Sequence, residues 1–131
     1  MLLLDTSVLI ELPRVLLPDE PVALSALSYA ELAFGVETPR DPAIQRARRE
    51  RLSWLDSLGM QWLPFDTRAG DGYARVANLV AHSRPRHARS KDVLIAGHAA
   101  SLGASIATLN PKDFQLMAEL VPVVVPRQRG E

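Results

Sequence analysis

The stretch Met1-Leu2-Leu3-Leu4-Asp5-Thr6-Ser7 decides the fold. An apolar run without a polar interruption is consistent with a buried strand. It stops at a carboxylate, and Thr6 or Ser7 can then cap a helix over residues 8–11. Strand, acid and helix in succession open an α/β unit, and in open α/β sheets ligands bind at the carboxyl ends of the strands. Asp5 thus has two readings: cap of the next helix, or functional acid at that edge.

The same grammar continues along the chain. Residues 22–24 read as a second strand, Ser28 as the opening of a helix over 29–36, and Pro42 as a first-turn residue before a helix over 43–58 that Gly59 stops. Residues 60–65 read as a third strand, with Pro64 marking a strand end or an edge position. Asp66 caps a helix over 67–82, and Pro85 sits in a basic loop. Residues 91–102 form a helix that is apolar nearly all round, hence deeply buried, and Gly103 ends it. A fourth strand over 105–109, a short helix over 111–118 and a fifth strand over 121–125 follow, and residues 127–131 read as a frayed tail. Alternation of this kind indicates an α/β fold with a mostly parallel sheet.

The length, 131 residues, fits a single domain over residues 1–131, and 47% hydrophobic content supplies its core. There is no cysteine, which excludes disulfides and thiolate ligands, so any metal must be held by oxygen or imidazole. No apolar run approaches a membrane span, and Met1 to Leu4 meets Asp5 too soon for a signal peptide, so a cytoplasmic, membrane-free protein is expected. A formal net charge of zero gives no general attraction for nucleic acid. Basic residues nevertheless cluster over 46–51 and over 84–91, either as solvated faces or, in the second run, as phosphate contacts beside Asp92.

Three further acids carry the same ambiguity as Asp5. Glu31 lies three residues after Ser28 and completes the form of a capping box, as Asp113 does after Asn110 and Pro111. Asp92 falls in the first turn of the apolar helix, where the helix dipole favours it, yet an acid at a buried end wants a partner. Jointly the dull explanations weaken. Helices that follow parallel strands start at the carboxyl edge, so Asp5, Glu31 and Asp113 should gather there. If the helix of Asp92 points its first turn the same way, four carboxylates converge and a cation is needed to offset their repulsion. An all-oxygen cluster suits Mg²⁺ or Mn²⁺. His82, His87 and His98 show no metal-ligand spacing, and His98 reads as a hydrogen-bonded core residue; Trp54 and Trp62 read as packing. There is no phosphate-binding glycine loop and no serine-nucleophile elbow.

Taken in order, these segments resemble the motifs of PIN-domain ribonucleases, specifically the VapC toxin family of type II toxin–antitoxin modules. Asp5-Thr6-Ser7 and Ser28-Tyr29-Ala30-Glu31-Leu32 are similar to the first two motifs. Arg89-Ser90-Lys91-Asp92-Val93-Leu94-Ile95-Ala96 is similar to the third, and Thr108-Leu109-Asn110-Pro111-Lys112-Asp113-Phe114 to the fourth. The resemblance covers essentially the whole chain. It implies a three-layer α/β/α sandwich with a parallel sheet in strand order 3-2-1-4-5, whose switch point lies between strands one and four. It implies an endoribonuclease dependent on Mg²⁺ or Mn²⁺, RNA as substrate, a homodimer, and a cognate antitoxin whose tail fills the crevice. Asp5, Glu31, Asp92 and Asp113 match the catalytic and metal-binding quartet; Thr6 or Ser7, Thr108 and Asn110 match the polar positions that orient it. Arg89, Lys91 and Lys112, beside Asp92 and Asp113, are expected to contact phosphate. Two alternatives keep the fold: a nuclease maturing stable RNA with no toxic role, and a non-catalytic binding module. Cleavage of DNA is open on chemistry alone, because nothing identifies a contact to the 2′-hydroxyl.

Overall fold

Leu2, Leu3 and Leu4 are wholly buried because they form the central strand, β1 (Leu2–Leu4), of a sheet covered on both sides. The computed structural model describes residues 1–130, so Glu131 and its part in the expected tail lie outside the described residues. Six further strands follow: β2 (Val15–Leu16), β3 (Val22–Ser25), β4 (Trp62–Leu63), β5 (Ser105–Ala107), β6 (Val123–Val124) and β7 (Arg127–Gln128). The helices are α1 (Thr6–Ile10), α2 (Ala26–Glu37), α3 (Pro42–Ser57), α4 (Thr67–Ala81) and α5 (Lys91–Ser101), joined by 3₁₀ turns at Leu12–Arg14, Pro85–Arg89 and Pro111–Met117.

The main sheet runs β4-β3-β1-β5-β6 and every pairing in it is parallel. With the small pair β2–β7 set aside, this is the expected order 3-2-1-4-5. Alternation along the strands sends side chains to opposite layers. Leu3, Ala23 and Ile106 pack against Val76 and Val80 of α4, Val93, Ile95, Ala96 and Ala99 of α5, and Phe114 and Met117. Leu2, Leu4, Leu24 and Ala107 pack on the other face against Val8 and Leu9 of α1, Leu32 of α2 and Leu55 of α3. The result is the α/β/α sandwich.

Several elements differ from their expected bounds. Strand β4 keeps only two residues, because Pro64 has no N–H to donate onward. The segment after Asn110 is a 3₁₀ helix, not an α-helix. The tail expected to fray does not: Arg127 and Gln128 pair antiparallel with Leu16 and Val15, and Arg129 N–H donates to the Arg14 carbonyl at 2.8 Å. No helix among the described residues is long and apolar enough to cross a membrane.

Candidate active site

β1 ends at Leu4, directly before Asp5, β3 at Ser25 and β5 at Ala107, so the loops that follow them share one edge of the sheet, at the break in strand order. Asp5 occupies the cap position of α1, but its side chain makes no capping bond. Its Oδ2 instead accepts from the Ser7 hydroxyl at 2.8 Å and from the Thr108 hydroxyl at 2.9 Å. Those hydroxyls are themselves fixed from behind: Ser7 Oγ accepts from Leu109 N–H and Thr108 Oγ1 from Asn110 N–H, both at 3.0 Å. Each hydroxyl has a single proton, and both are committed to Asp5. The carboxylate is thereby locked to the loop of the neighbouring strand, and no described group donates to its Oδ1.

Glu31 is likewise released from its capping role. The cap of α2 is Ser25, whose Oγ accepts from Leu27 N–H at 3.0 Å, and the helix starts one turn earlier than expected. Ser28 is consequently inside the helix, 1% exposed, and its hydroxyl has no hydrogen-bond partner. Glu31 faces Lys91, whose ammonium lies 3.8 Å from its carboxylate. Ser90 caps α5 by accepting from Val93 N–H, leaving Asp92 in the first turn without a capping bond. Asn110 makes no side-chain cap, so the second capping box is absent as well, and Asp113 is exposed.

A cavity of about 350 Å³ brings Asp5, Glu31 and Asp92 together, with Lys91 beside them. Asp113 does not line it, yet its charge reaches Asp92. Burial, then the charges of Asp113 and Asp5, and more weakly Glu31, push the Asp92 carboxyl above its ordinary range; His87 alone pulls it back. Half-buried and surrounded by three like charges, Asp92 is an anion short of a counter-charge. The donors are all hard oxygens, which fits Mg²⁺ or Mn²⁺. Among the described residues no three acidic or histidine side chains cage an ion directly.

The remaining expected residues are placed as follows. Thr6 is buried at the start of α1 and gives Asp5 no hydrogen bond; the hydroxyl at Asp5 is that of Ser7. Asn110 contributes its backbone N–H. Lys91 lies at the cavity, whereas Arg89 and Lys112 are exposed on the flanking 3₁₀ turns. His98 is a core residue, with Nδ1 2.8 Å from Ser25 Oγ and its ring edge-on to Phe65; burial lowers its pKa, against a weaker opposite pull from Asp66. Trp62 packs edge-on to Tyr29 and donates to Asp56, while Trp54 is 40% exposed. Phe34, absent from the residues that sequence reading singled out, lines the cavity. Its position three residues after Glu31 was the available signal, since that spacing shares a helix face.

The domain model that matches the sequence is the PIN domain, over residues 2–120. A chain in the crystal structure of VapBC-5, a member of the VapBC family of toxin–antitoxin systems from Mycobacterium tuberculosis, is 32% identical over 95% of this chain and 96% of that one, with a TM-score of 0.77. One in FitAcB from Neisseria gonorrhoeae is 26% identical over 94% and 96%, with a TM-score of 0.67. One in VapBC2 from Rickettsia felis, bound to a DNA fragment from their promoter, is 17% identical over 95% and 98% and shares the fold, with a TM-score of 0.71. No curated protein matches the chain.

Proposed function

The chain belongs to the PIN domain family, and from this premise we propose that it is a Mg²⁺- or Mn²⁺-dependent endoribonuclease, the toxin of a toxin–antitoxin pair. The observation that carries the reading is the set of four acids, drawn from four separate stretches, whose charges meet on Asp92 at the sheet's switch point. None of the four side chains makes a capping bond, so the capping explanation fails for Asp5, Glu31 and Asp113, and only first-turn placement is left as a structural reason for Asp92. The toxin role rests on the VapBC-5 relative, which is a member of the VapBC family of toxin–antitoxin systems. A cognate antitoxin and a second copy of the chain are the partners this reading expects, in the cytoplasm.

Asp5 and Asp92 would hold the ion, with Glu31 and Asp113 flanking them. A bound Mg²⁺ or Mn²⁺ supplies Lewis-acid polarisation of the scissile phosphate and lowers the pKa of water. The rest is done by the chain. Ser7 and Thr108 keep one face of Asp5 occupied, so that the other is presented in a fixed direction. Lys91 offers a cation to a phosphate arriving beside Glu31, and Arg89 and Lys112 extend that contact along the backbone of the strand.

The test is cleavage of total cellular RNA by the purified chain in Mg²⁺ or Mn²⁺, beside EDTA and Asp92→Asn. Discrete fragments are expected in the metals alone, with Asp92→Asn slower by about a thousandfold. Uncut RNA with folded, antitoxin-free protein would remove the nuclease reading.

A further inference from the structure

The cavity that gathers the acids is not acidic throughout. Leu27, Ala30 and Phe34 of α2 and Leu94 and Ile95 of α5 make most of its wall apolar. Phe34 leaves 69% of its surface in water, more than any other large apolar residue among those described. A single exposed ring is ordinary on a protein surface. Here it coincides with a second, independent feature: the Ser28 hydroxyl, buried in the wall of the same cavity, has no hydrogen-bond partner. A buried hydroxyl left without a partner costs free energy that a ligand can recover. Ser28, Glu31 and Phe34 follow one another at three-residue intervals on α2, so each neighbours the next, and all three line the cavity.

We infer that the apolar half of this cavity is a subsite for one unpaired nucleobase of the RNA, the base adjoining the scissile phosphate. The inference rests on the nuclease reading for the position of that phosphate. Phe34 is the stacking face, and the Ser28 hydroxyl bonds an edge of the base. Lys91 sits where the attached phosphate passes between subsite and acids. The volume, about 350 Å³, lies at the small end of ligand pockets, which run roughly 300–1,000 Å³, and suits one heterocycle. An apolar side chain from a protein partner would cover Phe34 but leave Ser28 unpartnered. A nucleobase satisfies both, because every base pairs a π-face with a polar edge.

The full chain is titrated into a labelled single-stranded RNA and into the same strand carrying abasic sugars. Ca²⁺ is present to neutralise the acids, and strand integrity is followed on a gel. The wild type is expected to bind the base-bearing strand about tenfold more tightly. Phe34→Ala should bring that ratio close to one, and Phe34→Trp should preserve it. Ser28→Ala should narrow it without unfolding the protein, since the hydroxyl makes no bond in the free chain. No preference in the wild type, or a preference unaltered by Phe34→Ala, overturns the subsite even in a protein that cuts RNA, and leaves the groove to a protein partner. A Phe34-dependent preference in a chain that never cleaves RNA keeps the subsite and removes the nuclease reading instead.

Discussion

At the residue scale the site turns on how few degrees of freedom Asp5 retains. Two hydroxyls donate to one of its oxygens, and each hydroxyl is held by a backbone N–H from the strand-end loop of β5. Thr108→Val keeps the shape of this completely buried residue but removes the donor, and Thr108→Ser keeps the donor. A hydrogen bond to a charged group contributes about 1.5–3 kcal/mol. Thr108→Val should therefore lower kcat by about ten- to a hundredfold with a smaller change in KM, and Thr108→Ser should restore most of it. Equal losses in the two variants would mean that packing, not orientation, is what Thr108 provides. Asp92 makes the second prediction at this scale. Its carboxyl is raised above 3.8 by burial first and by Asp113 and Asp5 next, so the native state binds that proton more tightly than the unfolded chain. Stability conferred this way is complete below the unfolded value and is lost as pH rises through the raised native one. In EDTA, Asp92→Asn should therefore be more stable than the wild type at neutral pH, and the gap should close as pH falls towards 4. Mg²⁺ should raise the wild-type Tm at neutral pH and do so progressively less on acidification, because proton and ion compete for one carboxylate. A wild type and variant whose melting curves run parallel across that range would contradict both.

Elements show where local reading stops being sufficient. Ser25 and Ser28 stand three residues apart, and each is a good cap on local grounds. Ser25 wins because its hydroxyl also meets Nδ1 of His98, a residue far along the chain on α5. That long-range contact moves the start of α2 by one turn, dissolves the capping box and releases Glu31. The acids were legible as candidates because hydrophobic runs and caps mark strand ends; their release from capping was not, because it depends on contacts between elements. The α4–α5 packing was hidden for the same reason. A Cβ on Gly97 would lie 2.3 Å from Tyr73 Cα, and one on Gly72 would lie 2.2 Å from the Gly97 carbonyl oxygen. Each glycine reads singly as a weak point in a helix, yet together they allow two backbones to approach closely. Gly97→Ala should force the helices apart and cost about 1–3 kcal/mol or more, seen as a lowered Tm. Gly35→Ala, in α2 with nothing within 4 Å of the added carbon, should instead stabilise by up to about 1 kcal/mol. Equal effects at the two positions would discount the close approach.

Across the whole molecule, the uninterrupted leucines of β1 announced a buried strand, and the alternation of elements announced a mostly parallel α/β sheet. Strand order was supplied by the resemblance of the motifs, because periodicity does not say which strand lies beside which. The pair β2–β7 escaped notice because two-residue strands carry no period to read, and because Pro126 and the charged residues after it look like a free end. That pair closes Arg127 and Gln128 onto the segment after α1. A net charge of zero is compatible with the proposed action on RNA because the charge is arranged locally, with Lys91 against acids in one cavity.

The bond between Asp5 and Thr108 joins residues 103 positions apart. Until the fourth-motif segment has been made and docked, Asp5 lacks one of its two donors, and Ser7 lacks the Leu109 N–H that fixes it. A ribosome part-way through the message therefore carries a chain whose first acid is already present and still unaimed. The aiming of that acid therefore waits on synthesis of the fourth-motif segment, a delay set by the order of the residues alone.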